Sequence, residues 1–188
     1  MPGAVVVTPR LVLRPFTAMD QEPFFSLNAH PAVIEALGSA PTRAECDAEL
    51  SRANAELERE GWGPWAVEER SGGQFVGLVG LHRVSPDLPF APAVEVAWRL
   101  HPDHWGHGYA TEAAGAALRY GFDAGGLDEV VSFTTTSNAR SQAVMVRLGM
   151  VRDVQGGFDH PRLPEGDPLR PHVLYRVTPS LLAPTVAS

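Results

Sequence analysis

Residues 94–122 read VEVAWRLHPDHWGHGYATEAAGAALRYGF, and the change of pattern inside this stretch sets the architecture. Val94, Val96, Trp98 and Leu100 alternate with Glu95, Ala97 and Arg99, the period of two expected of a strand with one apolar face. Pro102 stops the strand. After a glycine-rich turn, Ala110, Ala113, Ala114, Ala117, Leu118 and Gly121 recur every three to four positions. That spacing makes a helix whose buried face is small enough to lie close against a sheet. The β-branched run Val130-Val131-Ser132-Phe133-Thr134 then supplies a second strand, giving one strand-helix-strand unit.

On the N-terminal side, TPRLVLRPF (residues 8–16) alternates as a strand, and residues 20–37 read as two short helices interrupted at Pro31. Thr42-Arg43-Ala44-Glu45 is a capping box that opens a helix running to about Glu60, before Gly61. Residues 63–69 and 74–82 form a hairpin around Ser71-Gly72-Gly73. On the C-terminal side, Asn138 caps a helix closed by Gly149. Residues 153–177, with four prolines, read as loop-rich before a last strand at His172–Val177, and the residues after Pro179 are expected to be disordered. This order predicts an α/β (α+β) domain in which a mostly antiparallel, mixed central sheet is flanked by helices.

A length of 188 residues suits a single domain over 1–188, with a core from about 8 to 177. No run approaches the roughly 18–20 apolar residues that span a bilayer, and no secretory leader is evident, so a cytoplasmic, unprocessed protein is expected with no membrane partner. A net charge of -7 and a pI near 5.4 argue against nucleic acid as a partner, since phosphate-backbone binding draws on clustered Lys and Arg. Cys46 is the only cysteine, which excludes an internal disulfide and reads as an exposed or half-buried structural thiol.

The chemistry concentrates in Trp105-Gly106-His107-Gly108-Tyr109-Ala110-Thr111-Glu112-Ala113, at a helix start. Glycines there let a phosphate reach the backbone, and the unpaired amides of the first turn hold the anion. A Walker loop is excluded for want of Gly-Lys-Ser/Thr. The dinucleotide fingerprint fails because Thr111 stands where a third small residue belongs and no strand runs directly into the turn. His101, Asp103, His104 and His107 are of metal-ligand type but lie on a loop rather than on one helical face, so no metal is expected.

Four segments in order carry a resemblance: Thr8-Pro9-Arg10-Leu11-Val12-Leu13-Arg14, Glu95-Val96-Ala97-Trp98, Trp105 to Ala113, and Asn138-Ala139-Arg140-Ser141 leading to Leu148-Gly149-Met150. Together they resemble the GCN5-related N-acetyltransferase (GNAT) superfamily, in particular the ribosomal-protein N-terminal alanine and serine acetyltransferases. The resemblance implies an acyltransferase that moves the acetyl group of acetyl-CoA to a primary amine, on a protein N-terminus or on a small molecule. A non-catalytic acyl-CoA-binding module is the rival from another class, and a homodimer is left open.

For the cofactor, the resemblance implies pyrophosphate binding by Trp105, Gly106, His107, Gly108, Tyr109, Ala110 and Thr111, and the pantetheine arm along Trp98, Arg99 and Leu100. Asn138 would contact pantetheine or a water, although a plain helix cap explains it equally. Glu95 holds the position where several relatives carry the base, or else it is a structural ion pair. Ser141 matches a serine placed near the CoA sulfur in the ribosomal branch. The tyrosine that many relatives use as acid is replaced by Met145. Asp159 and Glu165, in late loops resembling the wall of an acceptor pocket, are candidates to attract an ammonium group.

Overall fold

The structure, a computed structural model, describes residues 4–184. Within them the chain runs β1 (Val6–Val7), β2 (Leu11–Arg14), α1 (Gln21–Ala29), α2 (Pro31–Leu37), α3 (Arg43–Glu60), β3 (Pro64–Glu69), β4 (Phe75–Arg83), β5 (Val94–Leu100), α4 (Tyr109–Asp123), β6 (Val130–Thr135), α5 (Ala139–Arg147), β7 (Val151–Asp159) and β8 (Pro171–Val177). One sheet has the order β1-β2-β3-β4-β5-β6-β8-β7. Every neighbouring pair is antiparallel except β5 and β6, which α4 connects as a parallel crossover. This is the mixed, mostly antiparallel sheet with flanking helices that the element order predicts. No helix is long and apolar enough to cross a membrane among the described residues.

The local signals act as their chemistry requires. Glu45 accepts the Thr42 N–H at 2.7 Å while Thr42 Oγ1 accepts from the Glu45 N–H at 3.3 Å, so two orphan amides at the start of α3 are satisfied reciprocally. Pro31 opens α2 rather than breaking a helix, because a proline costs nothing where the N–H has no helical partner.

The register of β4 against β5 sorts the sheet into two faces. Val79 opposite Trp98 and Leu81 opposite Val96 look toward α4, in the main core with Ala113, Ala114, Ala117 and Leu118. Leu78 opposite Arg99 and His82 opposite Glu95 look the other way, where Leu78 joins Phe24, Cys46 and Leu50 from α1 and α3. The small face of α4 has a clear reason: a Cβ at Gly121 would stand 2.5 Å from Leu81 Cδ1, so a larger residue there would have to push the Leu81 side chain aside. Burying each large apolar side chain, such as Phe24 or Leu118, contributes about 1.5–3 kcal/mol.

Three sequence expectations need correction. Residues 151–159 form β7 rather than the start of a loop; Val154 is 86% exposed and the pairing with β8 shifts between Asp153 and Phe158, so this edge strand lacks the apolar alternation that marks buried ones. Cys46 is fully buried, and burial followed by the charge of Glu49 pushes its thiol up. The disorder expected after Pro179 does not hold for residues 180–184, since the Ala183 N–H donates to Leu148 O at 3.0 Å and Leu182 packs on the main core. Residues 185–188 lie outside the described residues.

Candidate active site

The start of α4 is built as an open set of donors. Gly108 is its N-cap, with φ of 78°, a left-handed conformation that disfavours any residue with a Cβ and leaves no side chain to close the helix end. The Glu112 N–H is the first to bond back, to Gly108 O at 3.0 Å, so the amides of Tyr109, Ala110 and Thr111 precede the helical ladder. Gly106 is also left-handed, with no atom within 4 Å of where its Cβ would be. Exposed amides, the positive end of the helix dipole and two bare glycines together fit an anion such as a pyrophosphate.

Side chains brace this loop from outside, in contacts that the motif alone does not assign. The Trp105 indole donates to Leu100 O at 2.9 Å, and the Arg140 guanidinium lies 4.7 Å from the Trp105 ring centre, joining the end of β5 to the start of α5. Arg10 donates from Nη1 to His107 O at 3.0 Å and from Nε to Glu112 at 2.6 Å, and it covers the Tyr109 ring at 4.8 Å. Glu112 also accepts from the Thr8 hydroxyl at 2.6 Å and from the Arg10 N–H at 2.9 Å. Burial alone would raise its carboxyl, but these bonds outweigh burial and hold it below its ordinary value. The Tyr109 hydroxyl donates to Glu69, which raises the phenol. Thr8 and Arg10 thus have a physical reason to belong to the motif: the only sequence signal for it was their place at the head of the first matching segment. His107 stacks on Tyr109 with ring centres 5.6 Å apart.

Beside the cradle the sheet opens. Glu95 and Val131 are the single register pair of β5 and β6, a vertex past which residues 96–100 of β5 have no ladder partner on β6. Glu95 sits at this vertex, 8% exposed, and its carboxylate contacts His82 Nε2 across the β4–β5 pair. Trp98 packs on the α4 face and Leu100 is buried in the main core. The Arg99 side chain lies on the face away from α4, as Glu95 does, and donates to Asn28 at 2.7 Å and to Glu49 at 3.3 Å. Asn138 caps α5 by accepting from the Ser141 N–H at 3.1 Å. The Ser141 hydroxyl has no hydrogen-bond partner among the described residues. Met145 is 1% exposed within the main core, which accounts for an apolar residue there.

On the face opposite α4 stands an aromatic group. Phe133 lies 5.4 Å from Phe90 and 5.7 Å from Phe158, and Phe158 lies 5.3 Å from His172 between ring centres. His160 is 5.1 Å from His172, and burial, then the charges of His172 and Arg162, lower its imidazole. Asp159 is engaged by Arg170 at 3.3 Å, while Glu165 is exposed. His101 Nδ1 accepts from the Asp103 N–H at 3.4 Å, closing the turn before the cradle; among the described residues no three His, Cys, Asp or Glu side chains converge as a metal site.

Known proteins share this plan. The acetyltransferase (GNAT) domain matches residues 10–151. The FsC-acetyl coenzyme A-N(2)-transacetylase of Aspergillus fumigatus is 33% identical over 150 residues, covering 76% of this chain and 63% of that protein. The crystal structure of the acetyltransferase from Agrobacterium tumefaciens superposes with a TM-score of 0.75 at 26% identity, covering 94% of this chain and 95% of its own. RimL, a ribosomal alpha-N-protein acetyltransferase solved with coenzyme A, has the same fold, with a TM-score of 0.75 at 15% identity over 93% of this chain and 98% of that one. With a family domain spanning the cradle, the vertex and both flanking helices, the chain belongs to the GNAT family of acetyltransferases.

Proposed function

We propose that the chain acetylates a primary amine, such as the α-amine of a protein N-terminus, with acetyl-CoA, taking the pyrophosphate on the amides of Tyr109, Ala110 and Thr111 and the amine proton on Glu95. The observation that carries this reading is the uncapped, glycine-led start of α4 after the end of β5, together with a nearly buried carboxylate on the same strand at its single register pair with β6. Acetyl-CoA supplies the acyl group as a thioester. The residues of this chain have three tasks: to fix the anion, to remove a proton from the attacking ammonium group, and to return one to the departing sulfur. Glu95 fits the second, directly or through a water. Ser141, at the start of α5 with its hydroxyl unengaged, fits the third.

A small amine as acceptor has one specific support, that the 33% identical Aspergillus relative is named for FsC. One assay separates the readings: release of free CoA, followed with a thiol reagent, across peptides with varied first residues and a panel of small amines. Turnover confined to peptides is the expected result, and turnover confined to small amines overturns the protein acceptor. Acetyl-CoA should raise the melting temperature while NAD and ATP should not. Stabilisation by acetyl-CoA without CoA release for any acceptor would leave a binding module.

A further inference from the structure

We propose that His82 is a positioning residue for Glu95: its Nε2–H holds one carboxylate oxygen, leaves the other for the amine or a bridging water, and makes the basicity of that oxygen depend on whether His82 is charged. The inference rests on the reading of Glu95 as the base.

Its ground is the cross-strand geometry. His82 of β4 and Glu95 of β5 are opposed in register on the same face, and the two side chains touch through Nε2 and Oε1. A cross-strand neighbour in contact fixes a side chain that would otherwise choose among several rotamers. The exposures differ: the Glu95 side chain is 11% exposed and that of His82 33%, so the imidazole is the more open of the two to solvent. The carboxylate belongs to the vertex, whereas the protonation of its partner follows the bulk pH.

The charges around the pair set the direction. His82 faces Glu95 on β5 and Glu56 and Glu49 on α3. Arg99 bonds to Glu49, and His160, just past β7, feels the charge of Glu95 from the far side. Burial alone would lower the His82 imidazole, but the hydrogen bond and charge of Glu95, then the charges of Glu56 and Glu49, outweigh it and leave the value above the ordinary one. An imidazolium at 82 attracts the carboxylate's electron pairs and weakens it as a base; a neutral imidazole keeps it oriented through the single Nε2–H without that opposing charge. The step balances: as the C–N bond forms and the thioester C–S bond breaks, the ammonium group gives up two protons, one to the free oxygen of Glu95 and on to water, the other ending on the CoA thiol. Turnover should therefore rise with pH as His82 loses its proton.

The test compares the pH profiles of kcat/KM for wild type, His82→Gln and His82→Ala with one acceptor, whose own ionisation cancels in the ratios. His82→Gln retains a donor and cannot charge. Its activity should stay within about threefold of wild type at high pH, with the ratio of variant to wild type climbing toward tenfold per pH unit as pH falls through the His82 value. His82→Ala loses the donor and should lower kcat about tenfold at high pH, with the KM for acetyl-CoA unchanged. NMR titration of the His82 ring should show its pKa falling in Glu95→Gln, a readout independent of turnover. A His82→Gln profile superimposed on wild type, or a His82 ring indifferent to Glu95→Gln, overturns the proposal. If Glu95→Gln is slow and His82→Gln behaves as wild type, His82 alone is refuted. If Glu95→Gln turns over as wild type does, the base assignment falls and this inference with it.

Discussion

The anion cradle at the start of α4 and the vertex between β5 and β6 are adjacent sites made of different material. The cradle consists of backbone: three amides ahead of the helical ladder and two left-handed glycines, with side chains only behind them as braces. The vertex consists of side chains on a backbone with nothing unusual about it, since Glu95 and His82 occupy ordinary strand positions in register. A backbone site should tolerate changes of side chain except where a new Cβ disturbs the loop. A side-chain site should fail on replacement of a single atom.

The largest expected effect is at the vertex. Glu95→Gln keeps the shape of the side chain and removes its capacity to accept a proton, so turnover should fall by about 10²–10⁴-fold at neutral pH and recover partly as rising pH supplies free amine. Acetyl-CoA affinity, read by calorimetry, should stay within a few fold. A matching loss of affinity would merge the two sites into one. The reverse case is Gly108→Val, which puts a β-branched residue at a φ of 78° and a Cβ 3.5 Å from Arg10 Nη2. Losing one charge-assisted bond worth about 1.5–3 kcal/mol corresponds to a loss of affinity of about ten- to one hundred-fold. His107→Ala, by contrast, should change affinity by no more than about threefold, because amides make the contacts.

A smaller effect belongs to the brace. Arg10→Ala frees the His107 carbonyl and breaks the ion pair to Glu112, and should weaken acetyl-CoA about tenfold through a looser loop. The pH dependence has a definite sign. Glu112 is held below its ordinary value in the folded state, so the unfolded chain binds more protons in the window between the two values and the brace is lost as pH falls through the folded value. Thermal melts of wild type and Glu112→Gln should differ above the ordinary carboxylate range and converge in acid. A difference that persists at low pH would mean that packing, and not charge, supplies the brace.

The same contrast explains what could be read from the sequence. A cradle of contiguous backbone leaves a contiguous motif, and residues 105–113 with the flanking strand and helix revealed the parallel crossover. Capping at Thr42, Gly61 and Asn138 was equally legible, because a cap is a local bond. Contacts across long separations left no such trace. Arg10 meets Glu112 across 102 positions, and Tyr109 meets Glu69 across 40. His82, which one hairpin separates from Glu95, carries no motif, and register alone brings it to the carboxylate. Edge strand β7 was missed for a different reason, that an exposed strand need not alternate.

The smallest effect on turnover sharpens the account of proton return at Ser141. The helix start fixes the residue through its N–H on Asn138, so removing the hydroxyl should not move the backbone, and the melting temperature of Ser141→Ala should match wild type. Asn138→Ala is the control for the scaffold, since deleting a cap costs about 1 kcal/mol and should lower that temperature by a few degrees. A thiol with an ordinary pKa near 8.5 leaves as a tolerable thiolate close to neutral pH, so a donor for it should contribute less than the base that frees the amine. Ser141→Ala should therefore reduce kcat by less than about tenfold, with acetyl-CoA affinity intact. The hydroxyl does not titrate in the working range, so the pH profile should keep its shape, unlike that of Glu95→Gln. A loss beyond about a hundredfold in a variant of wild-type stability would make departure of the sulfur the harder step, and the greater demand on side-chain chemistry would move from Glu95 to the start of α5.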